Sequence, residues 1–131
     1  MADSSSRNGN WAYRSYHNTA EQPIFGEGTL TLVFSYPEIQ GTLDMGSGYV
    51  LDLQGTMRTN TPEIPEIYEI VGTGRAGTPT AGWEYDYHAF ENYHWPRGVN
   101  QVLSLVGSVI RAKPHNGEPA GVTGSFIAVK L

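Results

Sequence analysis

The chain has 131 residues, a net charge of −5 and no cysteine. That is the length of one domain. The missing thiols exclude disulfides, thiolate nucleophiles and Cys-ligated zinc, and the acidic balance argues against nucleic acid as a partner. Charged residues are only 16% of the chain, too few for a disordered protein. Its sixteen glycines and eight prolines follow no collagen period and instead divide the sequence into short segments.

The opening stretch, residues 1–10, is polar and reads as a flexible leader ahead of a single domain over 11–131. It has no apolar core of the signal-peptide kind, and no 18-residue apolar run follows it. The expectation is therefore a cytoplasmic protein without a membrane partner. Helical periodicity is scarce and alternation is common, so the reading is all-β.

The first strand falls near 11–17, where Trp11, Tyr13 and Tyr16 form one aromatic cluster with His17. A longer link, 18–27, leads to strands near 28–35 and 39–45. Met45-Gly46-Ser47-Gly48 is a tight hairpin signal, and a fourth strand follows over 48–58. Thr61-Pro62-Glu63-Ile64-Pro65 breaks any strand. A fifth strand lies near 66–74, and a Gly/Pro-rich turn over 76–82 leads to a sixth near 82–90. That strand carries a second aromatic cluster, Trp83, Tyr85, Tyr87 and Phe90, extended by Tyr93, His94 and Trp95. After a link over 91–100 come the seventh and eighth strands, near 101–112 and 121–130. The turn between them contains Pro114-His115-Asn116-Gly117-Glu118-Pro119. Short links favour antiparallel pairing of successive strands.

A Gly followed by Thr or Ser recurs at Gly28, Gly41, Gly55, Gly72, Gly107 and Gly124. Side chains alternate faces along a strand, and each of these glycines falls on the more apolar face. Gly41 shares its face with Ile39 and Leu43, and Gly124 shares its face with Val122, Phe126 and Ala128. Glycine on a concave face lets strands bend and backbones approach, which is how a small sheet closes. The predicted fold is a small antiparallel up-and-down β-barrel of about eight strands.

The seventh and eighth strands are apolar on their second face too, through Val102, Val106, Ile110, Ile127 and Val129. Burial of that face calls for another element or another subunit. The expectation is a homo-oligomer packed through strands 101–112 and 121–130.

If the apolar faces point inward, the interior is rich in phenols. Trp11, Tyr13, Tyr49, Tyr68, Trp83, Tyr85, Tyr87 and Phe126 become candidate ligand-binding residues, with Arg111 as an anion contact near the barrel mouth. Glu84, Asp86 and His88 would then face outward. Their spacing matches no metal motif, so neither a metal site nor a cofactor is assigned. Nucleophile elbows and phosphate-binding glycine loops are absent, and no catalytic residue is assigned.

With eight short strands in a meander, Gly-Thr pairs on successive strands and an aromatic-rich sixth strand, residues 11–131 resemble the calycin-type barrels, the avidins and lipocalins. The resemblance is one of architecture. The Trp11-Ala12-Tyr13-Arg14 start lacks the Gly-x-Trp opening of those families, and no biotin-binding residue carries over. It implies a barrel that binds a small hydrophobic or aromatic molecule, and Arg111 would let that molecule be anionic. A cofactor-independent cyclase or isomerase of the natural-product type is the alternative, and a packed barrel without a cavity is the third possibility.

Overall fold

Alternation of apolar and polar side chains builds eight strands in the structure, a computed structural model that describes residues 7–58, 66–94 and 102–131. They are β1 (Gly9–His17), β2 (Ile24–Ser35), β3 (Glu38–Asp44), β4 (Val50–Arg58), β5 (Ile67–Gly74), β6 (Glu84–His94), β7 (Val102–Arg111) and β8 (Thr123–Lys130). Each pairs antiparallel with the next. β8 returns to β1, with Tyr13 opposite Ala128, and closes the barrel. The fold is thus the up-and-down barrel expected from the sequence, an architecture consistent with the calycin type. Three strands are longer than expected. β1 starts at Gly9, inside the expected leader 1–10, β2 starts at Ile24, inside the expected link 18–27, and β6 runs on to His94. The proline-rich break over 61–65, Trp95 and the leader residues 1–6 lie outside the described residues.

Burial settles which face points inward. On β4, Leu51, Leu53 and Met57 are buried while Gln54, Thr56 and Arg58 are exposed. On β2, Leu30, Leu32 and Phe34 are buried and Thr29, Thr31 and Val33 are exposed. The apolar faces therefore make the interior. The recurrent glycines lie on that side and mark close strand approaches. A Cβ added to Gly41 would overlap the backbone carbonyl of Thr31, and one added to Gly107 would overlap that of His88. Gly28, Gly55 and Gly124 meet a neighbouring carbonyl in the same way. Gly72 differs, because its neighbours are the side chains of Leu53, Leu51 and Tyr87.

Antiparallel order sends alternate connections to opposite ends of the barrel. At the end where β1 begins, the interior is filled. Trp11 is fully buried and donates its indole N–H to the carbonyl of Arg7 at 3.1 Å. Asn8 Oδ1 accepts the Phe34 backbone N–H at 2.7 Å. Arg7, itself buried, joins two buried carboxylates: Nε lies 2.7 Å from Glu91, and the guanidinium also pairs with Glu66. The Tyr68 hydroxyl lies 2.6 Å from Glu91 and 3.1 Å from Glu66. Burial and the neighbouring Glu91 carboxylate raise Glu66 above the usual carboxylate range. Burial would raise Glu91 too, but hydrogen bonds from Arg7 and Tyr68 outweigh it and hold Glu91 low.

On the outer surface, Phe90 stands opposite Val106, and Val106 opposite Ile127. This sets an apolar row across β6, β7 and β8. Phe90 is 49% exposed, while Val106 and Ile127 are half-buried within the single chain. Glu84, Asp86 and His88 also face outward, Glu84 lying 3.4 Å from Lys113. No helix among the described residues is long and apolar enough to cross a membrane.

Candidate ligand cavity at the barrel mouth

The far end of the barrel, where β1 finishes and β7 hands over to the 112–122 loop, is hollow. A cavity of about 380 Å³ opens there, within the range of small-molecule sites and towards its lower end. Its floor is made of rings. Tyr13 and Tyr87 meet edge to face at 6.2 Å between centroids, and Phe126 packs 5.6 Å from each from the filled side. Burial pushes the Tyr13 phenol up to about 12, and it raises Tyr87 well above its ordinary value. Both therefore remain neutral hydroxyls at any ordinary pH.

The walls are stacked pairs. Trp83 lies parallel to His115 at 3.9 Å, and His17 parallel to Phe25 at 4.3 Å. Tyr49 packs against Trp83 at 5.8 Å. It stands just ahead of β4 and is 39% exposed, so it is a rim residue rather than a strand residue of the interior.

Polar chemistry converges on one side of this cavity. β7 runs inward-facing through Leu105 and Val109, and the same phase brings Arg111 into the mouth. Arg111 is only 5% exposed. Its Nε donates to the Tyr85 hydroxyl at 3.1 Å, and one terminal nitrogen donates to the Pro119 carbonyl at 3.1 Å. The guanidinium also lies over the Phe25 and Tyr85 rings, at 5.2 and 5.8 Å. Among the described residues no carboxylate comes within ion-pairing distance of it. A buried cation normally has a partner charge, and a guanidinium offers five N–H donors. Arg111 thus retains donors and an uncompensated charge beside an open cavity.

His115 comes from the 112–122 loop. Asn116 and Gly117 have φ of 49° and 79°, as a tight two-residue hairpin turn requires. His115 and Glu118 exchange both backbone hydrogen bonds across that turn, at 3.1 and 2.8 Å. The turn folds the imidazole against Trp83 and brings Nε2 to 2.5 Å from the Tyr85 hydroxyl. Burial and the positive charge of Arg111 lower the His115 pKa, against a smaller opposing effect of Glu118, so the ring is neutral at pH 7. Its Nδ1 is buried and has no hydrogen-bond partner among the described residues. No second contact therefore fixes the tautomer.

Of the residues expected to bind a ligand, Tyr13, Tyr49, Trp83, Tyr85, Tyr87 and Arg111 line this one cavity. Phe126 supports its floor. Trp11 and Tyr68 are placed elsewhere, fully buried in the filled end. Sequence reasoning missed His115, His17, Phe25 and Glu118, which also line the mouth. For His115 a signal existed, because an Asn-Gly turn folds its flanking residues back together. Phe25 fell in a segment read as a link.

Fold and site together define a closed eight-stranded barrel with one packed end and one aromatic mouth that holds a buried arginine. No protein-family model matches the chain, no curated protein matches it, and no solved structure matches it.

Proposed function

We propose that this calycin-like barrel binds a small, partly aromatic molecule bearing a carboxylate or similar anionic group. The observation that carries the reading is Arg111, a buried cation without a carboxylate partner among the described residues, held at the mouth of an aromatic cavity. The rings of Trp83, Tyr85 and Tyr87 supply apolar and stacking surface. The free guanidinium donors supply orientation, since Arg grips carboxylates bidentately. The same cavity also fits a cofactor-independent cyclase or isomerase, for which the Tyr85 hydroxyl and its contact with His115 are the chemical groups.

Native mass spectrometry of the protein purified from its own source, with a denatured control, tests the binding reading. A non-covalent adduct lost on denaturation is expected. Arg111→Met keeps the stem and removes the charge. The adduct should then disappear, or its affinity fall by about tenfold to a hundredfold, the effect of losing a charge-assisted contact. An adduct that Arg111→Met retains in full would rule out the anion-binding role.

The outer row Phe90, Val106 and Ile127 favours a second copy of this chain as the macromolecular partner, through β7 and β8. A two-fold axis would place the same apolar row on both sides of the contact.

A further inference from the structure

We propose that Tyr85 and His115 form a proton-transfer pair, and that the cavity catalyses cofactor-free proton transfer at carbon. The substrate class is a small aryl carboxylate with a C–H bond acidified by an adjacent carbonyl. This rests on the reading of the mouth as an anion-binding site and adds a reaction to it.

The geometry supports a relay. The Tyr85 oxygen stands between His115 Nε2 at 2.5 Å, which is a base in the Nδ1–H tautomer, and a cation, Arg111 Nε at 3.1 Å. All three side chains line the same cavity. A phenol that gives its proton to His115 becomes a phenolate, and Arg111 stabilises the negative charge where it develops. That oxygen has three lone pairs. Arg111 and the new Nε2–H occupy two, and the third is free for the substrate.

The phenolate then removes the acidic C–H proton. The C–H bond breaks, a phenol O–H forms, and the electron pair passes into the carbonyl as an enolate. The imidazolium gives its proton to the enolate oxygen. Tyr85 ends as phenol and His115 as neutral imidazole, as they began, while the substrate has changed from keto to enol. No oxidant, reductant or metal enters the balance. The remaining Arg111 donors hold the substrate carboxylate so that its C–H faces Tyr85.

Phenylpyruvate is a suitable probe, because it combines an aryl ring, a carboxylate and two acidic C3 hydrogens. The full chain is incubated with it in D₂O. Proton NMR follows loss of the C3 hydrogens, and tryptophan fluorescence reports binding next to Trp83. The expected result is stereoselective loss of one C3 hydrogen, at least about tenfold faster than in buffer. Tyr85→Phe should bind phenylpyruvate but lose about a hundredfold or more of the protein-dependent exchange, the usual contribution of a positioned acid or base. His115→Gln can still accept a hydrogen bond from Tyr85 but is no base, and it should lose exchange to the same degree. Melting curves establish that each variant folds, and if one does not, the other carries the comparison.

Binding with only unselective background exchange overturns the proton-transfer proposal and leaves the binding reading standing. Full exchange in folded His115→Gln overturns the pairing, because His115 would then serve only as a hydrogen-bond acceptor. Neither binding nor exchange with phenylpyruvate overturns the proposal and the anion-binding reading together.

Discussion

At the scale of single residues, the two ends of the barrel handle buried charge in opposite ways. At the packed end, Arg7 is matched by Glu66 and Glu91, and the second carboxylate leaves one negative charge more than the cation neutralises. Raising Glu66 and lowering Glu91 resolves this, because a proton retained on Glu66 leaves one ion pair, Arg7 with Glu91. Glu66→Gln imitates the protonated acid and should change the melting temperature little. Glu91→Gln removes the ionised partner of Arg7 and of the Tyr68 hydroxyl and forces Glu66 to give up its proton in its place, so a loss of about 1.5–3 kcal/mol is expected. Thermal melts of the two variants side by side check this, and equal losses would refute the assignment of the proton. At the mouth, Arg111 has no such match among the described residues. The same physics that makes Arg7 structural leaves Arg111 as the group that the proposed ligand would match.

At the scale of elements, the strands cross most closely where glycine permits it. A methyl group at Gly41 meets the rigid backbone of β2, whereas one at Gly72 meets the movable ends of Leu51 and Leu53 and the Tyr87 ring. Gly41→Ala should therefore cost about 2–3 kcal/mol and Gly72→Ala about 1 kcal/mol or less, measured by denaturant unfolding. The reverse order would show that closure does not depend on these approaches. This contrast also shows what the sequence makes legible. Strand number, inward face and closure follow from alternation and from the phase of glycine along it, because period-two patterning is local. The placement of Tyr85 and Arg111 on inward positions follows from the same pattern. The contact of His115 with Tyr85 joins positions 30 residues apart and depends on how the 112–122 loop folds over the mouth, which no periodicity encodes. The filling of the end holding Trp11 and Tyr68 depends on Arg7, Glu66 and Glu91 meeting in space, and composition gives no hint of that.

For the whole molecule, closure removes free sheet edges, so self-association must use a face rather than an edge. The Phe90, Val106 and Ile127 row is the apolar face on offer. Val106→Glu at its centre should convert a dimer to monomers in sedimentation velocity while leaving the far-UV circular dichroism unchanged. A protein already monomeric before substitution would remove the interface from the proposal. The division into a solid half and a hollow half has a further meaning for how such a protein can change. The packed half secures the fold through Trp11, Tyr68 and the Arg7 cluster. The hollow half is framed by the connections over 18–23, 45–49, 75–83 and 112–122, all emerging at the mouth. These connections supply Met45, Tyr49, Trp83, His115 and Glu118 to the cavity, while Tyr13, Tyr85 and Arg111 come from the strands themselves. On the proposed binding reading, replacing one rim loop at a time would reshape the upper walls of the cavity while drawing on a reserve of stability that lies at the other end of the barrel.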